Sequence, residues 1–393
     1  MKWGISMGEF RLWSRNFIFV CLSSFLYFGS FYLLLPVLPQ YVSSLGGTVS
    51  QIGLVMGAFT MASVVIRPYF GKLADYYGRK TFMLLGAGLF AFLFLGYGLV
   101  ETVIPLYVLR IIHGIAHGTY LAAAFAYVAD LAPVQRRGEV MGVYGISNVI
   151  SMSLFPAVGS AIITYTHDFF ILFVMAGITG SAAFLAILFI DEGKPQGHTG
   201  RSSLMAIARH RMVLLASLTL FTAATAYGAI ITFLPVYAPE RGLTNFGVFF
   251  TAYAAFTLIS RVAAGKLSDR FGRRKVIIPF MMLIALAMFL LPMLEELYLL
   301  ILIGCCFGLG FGAFMPALNA FVIDETSPQE RSSALAFFTS AMDVGITTGA
   351  VALGLIGEYW GYASMFIIGG VIVVCGIVLF YQFAKGSPLA EQI

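Results

Sequence analysis

Gly71-Lys-Leu-Ala-Asp-Tyr-Tyr-Gly-Arg-Lys80 recurs 194 residues later as Gly265-Lys-Leu-Ser-Asp-Arg-Phe-Gly-Arg-Arg274. The same offset carries Arg67 onto Arg261, Asp130 onto Asp324, Gln135 onto Gln329 and Arg137 onto Arg331. Pro36 and Pro235 correspond at an offset of 199, so one loop differs in length between the copies. An offset shared across so much of the chain marks a duplication. The expected molecule is two halves of parallel topology, a pattern typical of membrane transporters.

The residues around the repeat fix the solvent. Hydrophobic residues make up 60% of the 393 and charged residues 10%, against roughly 25% charged in an average soluble domain. A water-soluble surface cannot be covered from that composition, whereas a bilayer needs no polar cover. Cys21, Cys305, Cys306 and Cys375 all sit in apolar runs, which argues against a secreted disulfide framework. The apolar run from Phe17 is too long for a signal-peptide core and lacks a small-residue cleavage site, so it reads as a retained span. Runs long enough to cross about 30 Å of hydrocarbon fall at 17–42, 51–70, 81–100, 103–130, 138–166, 168–190, 212–239, 245–264, 275–294, 297–323, 332–357 and 361–383.

The expected fold is therefore an all-α membrane protein of about twelve transmembrane helices in two pseudo-symmetric six-helix bundles. Residues 1–190 form the first bundle and 212–393 the second, with a polar cytoplasmic linker at 191–211. With the amino terminus inside, 21 of the 23 Lys and Arg fall in segments assigned to the cytoplasmic side, Arg67 and Arg261 among them. Arg241 falls outside and Arg110 within a span, while Glu101, Asp168, Glu240, Glu295, Glu296 and Glu358 lie in outer loops. The positive-inside rule then places both termini in the cytoplasm of a multi-pass cell-membrane protein. The net charge of +5 reports this topology and not nucleic-acid binding.

These motifs resemble the major facilitator superfamily over nearly the whole chain, most specifically in the G-x-L-x-D-x-x-G-R-K pattern at Gly71–Lys80. Arg110-x-x-x-Gly114-x-x-x-Gly118 is similar to a further signature common in proton-coupled members. Of the Gly-rich fifth-span pattern of drug–proton antiporters, Gly142, Pro156 and Gly159 are present, with Ser151, Phe155 and Ser160 in place of glycines. By this resemblance Asp75, Arg79 and Asp130 form a charge network that latches the cytoplasmic ends of the halves together in the outward-open state. Gly71, Gly78, Gly265 and Gly272 shape the two loops, and Asp269, Arg273 and Asp324 make the pseudo-symmetric set. The plainer reading is that these charges only hold the loops inside.

Ionisable residues within spans are costly and therefore candidates for substrate or proton handling. Arg110, His113 and His117 share the fourth span, with Arg110 and His117 within roughly 20° of each other around the helix. Arg110 needs an acid partner or an anionic substrate, and the histidines can take up protons near neutral pH. The histidines could also be structural, bonded to backbone or hydroxyl groups. Metal ligation by the i, i+4 pair lacks a neighbouring Cys or carboxylate, so no metal is expected. Asp343 is the one acid deep in an apolar run, about 18 Å into its span from Arg331. It could be a proton site, a counter-charge or a packing acid, and an alternating pairing with Arg110 is expected. Asn148, Tyr227 and Asn319 are weaker candidates.

The expected function is secondary active transport of a small-molecule substrate by alternating access, most simply proton-coupled efflux similar to the sugar- and drug-efflux branches. Export of an anionic or zwitterionic metabolite or metal chelator is the alternative, with Arg110 meeting a carboxylate. A membrane enzyme would need a nucleophile–base or metal constellation that the sequence does not display, and a non-transporting sensor or channel would not need two pseudo-symmetric latch loops. No cofactor beyond the proton gradient, no partner beyond substrate and lipid bilayer, and a monomer are expected.

Overall fold

The computed structural model describes residues 13–132, 136–192, 209–327 and 330–384. Among them the secondary structure is helical, with no strand. Helix α1 (Arg15–Leu34) starts at Ser14, whose hydroxyl accepts from the Phe17 amide at 3.3 Å. After a break at Pro36 the chain resumes as α2 (Leu38–Ser44). Then come α3 (Val49–Tyr77), α4 (Arg79–Tyr97), α5 (Val103–Leu131), α6 (Arg137–Thr166) and α7 (Phe169–Leu188). The second half holds α8 (Arg211–Glu240), α9 (Gly247–Phe271), α10 (Arg273–Leu290), α11 (Leu297–Asp324) and α12 (Arg331–Phe383).

Among the described residues, ten helices are long and apolar enough to cross a membrane. The last of these, Ser333–Phe383, is 51 residues long and contains a non-helical Gly361 with φ 79° and ψ 163°. At about 1.5 Å per residue it is too long for one crossing, and Gly361 is where the sequence places a boundary between two spans. Helix α9 carries the apolar stretch that the sequence reads as the span at 245–264. The boundary at Tyr165–Asp168 is sharp. His167 closes α6 in the left-handed region at φ 53°, and Asp168 caps α7 by accepting from the Phe170 amide at 2.7 Å.

Both repeat motifs differ from expectation in one respect. The reading of Gly71 as a loop glycine does not hold, because α3 runs on through it to Tyr77. Gly265 likewise lies inside α9. Each hairpin is a single residue, Gly78 at φ 110° and Gly272 at φ 85°, a region that favours residues without a Cβ.

Helices α1, α3–α5 and α6–α7 pack as one bundle and α8–α12 as another. Two main seams join them, α3 against α12 and α6 against α9, with a smaller contact of α2 on α8. The repeat maps α3 onto α9 and α6 onto the first part of α12, so the two main seams are images of each other. Close approach is concentrated at the ends away from Gly78 and Gly272. There a Cβ on Gly53 would collide with the Ala350 carbonyl oxygen, and one on Gly247 would stand 2.6 Å from Ser160 Oγ. Gln40 Nε2 donates to the Pro235 carbonyl at 2.8 Å, and the Ser50 amide to Glu358 Oε2 at 2.8 Å, across the same end. Large apolar side chains such as Leu99, Ile104 and Val65 point outward, as a lipid-facing surface requires.

Candidate functional site

Arg110 lies about two turns from the start of α5, 2% exposed and inside the first half. Its guanidinium stacks 4.0 Å over the Phe59 ring and reaches Tyr97 Oη at 3.4 Å and the Val55 carbonyl at 3.5 Å. Among the described residues it forms no ion pair. His113 Nδ1 stands 2.8 Å from Tyr97 Oη, with the Phe90 ring centroid 3.9 Å from its own. His117 Nδ1 stands 3.2 Å from Tyr27 Oη, and its ring stacks on Phe31 at 5.2 Å. Gly114 and Gly118 let α3 approach α5, since a Cβ on either would collide with the Phe59 or Ser63 carbonyl. This is an aromatic cage inside one bundle. Among the described residues no group of three or more His, Cys, Asp or Glu stands together as metal ligands.

Asp343 does not pair with Arg110 here. It meets Arg67 Nη1 at 2.6 Å across the α3–α12 seam, and Arg67 Nη2 donates to Ser63 Oγ at 3.2 Å. Both side chains are partly accessible, 29% for Arg67 and 20% for Asp343. Thr347 gives its hydroxyl to the Asp343 carbonyl at 3.0 Å, and Thr339 bonds its own helix, so neither serves the carboxylate. Arg67 lies in α3 about 15 Å from the helix end at Tyr77. Grouping it with the loop charges was therefore wrong, for a simple reason: the helix extends past the predicted span boundary, so the residue lies further from the hairpin than a span ending at 70 implies.

The second seam holds two of the weaker candidates, Asn148 and Tyr227, and two residues that the sequence did not single out. Tyr32 Oη donates to Asn148 Oδ1 at 3.4 Å. Tyr227 Oη has Met152 Sδ at 4.0 Å, and its ring stacks on Phe311 at 5.1 Å. Arg261 of α9 is half-buried, its Nε lacking a hydrogen-bond partner among the described residues, and the Tyr253 hydroxyl is buried in the same condition. Asn319 is half-buried on α11, with no side-chain hydrogen bond among the described residues. The signal that could have found Arg261 was present, since it is the repeat image of Arg67 and both interrupt apolar runs.

At the hairpin end Arg79 is 4% exposed; it bonds Asp75 through Nη1 and Asp130 Oδ2 through Nε at 3.3 Å. All three belong to the first half. Arg273 bonds Asp324 at 2.9 Å and Ser268 Oγ at 2.8 Å within the second half. The Asp269 side chain lies outside the described residues, as does most of the linker at 191–211. In this conformation the described charge contacts of Arg79 and Arg273 brace each half internally. Lys80 adds a further brace, giving Nζ to the Ile190 carbonyl at 2.6 Å and its amide to Glu192 Oε1 at 3.1 Å.

Comparison with known proteins agrees with this architecture. The family model described as Major Facilitator Superfamily matches residues 20–260 and 243–392. The chain is 26% identical over 397 residues to the multidrug resistance protein MdtG of Salmonella paratyphi A, covering 97% of this chain and 96% of that one. It is 25% identical over 382 residues to the MdtG protein of Enterobacter lignolyticus, covering 93% and 91%. Among solved structures, a bacterial homologue of the human lysosomal transporter Spinster, inward-facing and occupied, superposes with a TM-score of 0.81 at 14% identity, covering 94% and 96%. The nucleoside transporter NupG superposes with a TM-score of 0.76 at 17% identity, covering 95% and 100%. With the family model spanning both halves of a repeated helical membrane fold, the chain belongs to the Major Facilitator Superfamily, a family of transporters and not of enzymes.

Proposed function

We propose that this protein is a proton-coupled exporter of a small solute, working by alternating access with the Arg67–Asp343 pair as its proton-sensitive bridge. The observation that carries this reading is the 2.6 Å ion pair spanning the two halves. Protonation of Asp343 removes the attraction that holds Arg67 to α12, leaving α3 and α12 free to separate. Twelve spans with both termini in the cytoplasmic compartment of the cell membrane follow from the charge asymmetry. In that orientation the close seam lies at the outer face and this state opens inward. The MdtG relatives, named for multidrug resistance, support efflux as the direction. The incomplete fifth-span glycine pattern points to a solute range different from that of classical drug antiporters. The Asp75–Arg79–Asp130 network acts by shaping the hairpin end of the first half and latches the halves in the opposite state. No cofactor is needed and the working unit is the monomer.

The test is reconstitution into liposomes with an imposed pH gradient and a counterflow screen of solutes. Inward proton flow should accelerate efflux, and Asp343→Asn should abolish the response to the gradient while leaving exchange at equal pH measurable. Transport indifferent to the gradient in both proteins would refute proton coupling.

A further inference from the structure

The internal duplication allows one seam to be compared with its image. Arg67 on α3 is neutralised by Asp343 across the first seam. Arg261 on α9 is its repeat image, but the position equivalent to Asp343 is Val149, an apolar residue 8% exposed. Arg261 accordingly has no ion pair among the described residues, and its buried Nε has no hydrogen-bond partner. Its electrostatic neighbours are the hydroxyls of Tyr253 and Tyr32. The Tyr253 hydroxyl is buried beside those of Tyr227 and Thr257 without a properly formed hydrogen bond. These tyrosines line an aromatic crevice between the halves, closed by Phe249, Phe250 and Phe307. The crevice itself has room for about 10 Å³, one water's worth. Arg261 lies about two helical turns from Tyr253 towards the hairpin end, where the close packing of the seams has ended.

An uncompensated guanidinium at membrane depth is expensive, and so is the Tyr253 hydroxyl left unsatisfied near it. A single ligand relieves both: an oxyanion that accepts from the planar fork and the Tyr253 hydroxyl while its apolar body lies against the aromatic wall. Arg110 cannot play this part, because it is sealed inside the first bundle. We propose that Arg261, with Tyr253 and Tyr32, is the recognition site for the carboxylate of an amphipathic organic anion. The proposal rests on the transporter reading for its purpose and on the seam asymmetry for its chemistry.

The test uses the purified full-length protein in detergent and matched probes: 4-phenylbutyrate, its amide and its amine, with the naphthyl counterparts. Ligand-induced thermal shifts and titrations are read. The carboxylates should stabilise the wild-type protein and the amides and amines should not. Arg261→Gln should weaken carboxylate binding by about ten- to a hundredfold, the size expected for a charge-assisted hydrogen-bonded pair. Arg261→Lys should retain part of it. Unliganded Arg261→Gln should be no less stable than wild type, since it removes an unpaired charge, whereas Arg67→Gln should melt lower because it orphans Asp343. The proposal is overturned if no carboxylate probe binds, if amides bind as well as carboxylates, or if Arg261→Gln binds unchanged. Should Arg261→Gln fail to fold, Arg261→Lys and Tyr253→Phe decide, and undiminished carboxylate binding by both overturns the site. Counterflow separates the two levels. A protein that exchanges uncharged solutes but ignores the carboxylates overturns this site alone, whereas binding without counterflow of any solute overturns the transport reading alone.

Discussion

At the residue scale, two arginines in similar helical settings, Arg110 and Arg67, differ in what opposes their charge. Arg110 is held by a ring face, a hydroxyl and a carbonyl. These contacts need a flat, delocalised cation, and a lysine ammonium cannot make them together. Arg110→Lys should lower the melting temperature in detergent and cut transport at matched expression by about tenfold or more, while Arg241→Lys, at the far end of α8, should change neither. Near-normal transport by Arg110→Lys would show that the cage does not support the cycle. Arg67 and Asp343 form a partly accessible pair, so each single neutralisation should cost roughly 1–3 kcal/mol by leaving the other charge unmatched. The double variant Arg67→Gln, Asp343→Asn should regain part of that loss, because the orphaned charge is gone. Denaturation of all four proteins gives the interaction energy directly, and strict additivity would contradict a functional pair.

At the element scale, the hairpins make the sharpest comparison. Gly78 and Gly272 both have positive φ, so alanine at either should cost about 1–3 kcal/mol in backbone strain. Only at Gly78 would the new Cβ also collide, 2.8 Å from Glu192 Oε1. For a Cβ at Gly272 nothing among the described residues lies within 4 Å. Gly78→Ala should therefore destabilise more than Gly272→Ala, and should disturb the Lys80–Glu192 brace. Equal melting shifts would locate the whole effect in φ. The helices themselves were largely readable from apolar run length, because hydrophobic span length is set by membrane thickness. Their ends at the repeat were not. Continuation of α3 through Gly71 to Tyr77 depends on packing against α5 and on the Arg79 network, neither of which leaves a mark in hydropathy.

At the scale of the whole molecule, the two halves touch where small residues let α3 and α12 come together. A Cβ at Gly53 would press on the Ala350 carbonyl oxygen, and one at Gly57 would stand 2.5 Å from Val351 Cγ2. Gly53→Val should thus block closure of this end and shift the population towards the state open there. Spin labels at Ser43 and Arg241, in a background lacking the four free cysteines, should report a longer distance in the variant. An unchanged distance would mean that the seam yields without moving the halves.

The sequence by itself determined the membrane environment, the twofold repeat, the identity of the hairpin motifs and the small set of charges that any mechanism must use. Those follow from local quantities: apolar length, charge placement and a repeated offset. Only the tertiary structure decided which charges meet. Asp343 lies opposite Arg67 and not Arg110, since α3 and α12 share a seam while α5 faces inward to its own bundle. The histidines, which by sequence could have faced a cavity, point into an aromatic cage with tyrosine hydroxyls as partners. The pairing of a buried charge is a property of whatever stands across the interface. Helical periodicity gives the face a residue occupies, and the rotation and depth of the neighbouring helix decide what that face meets.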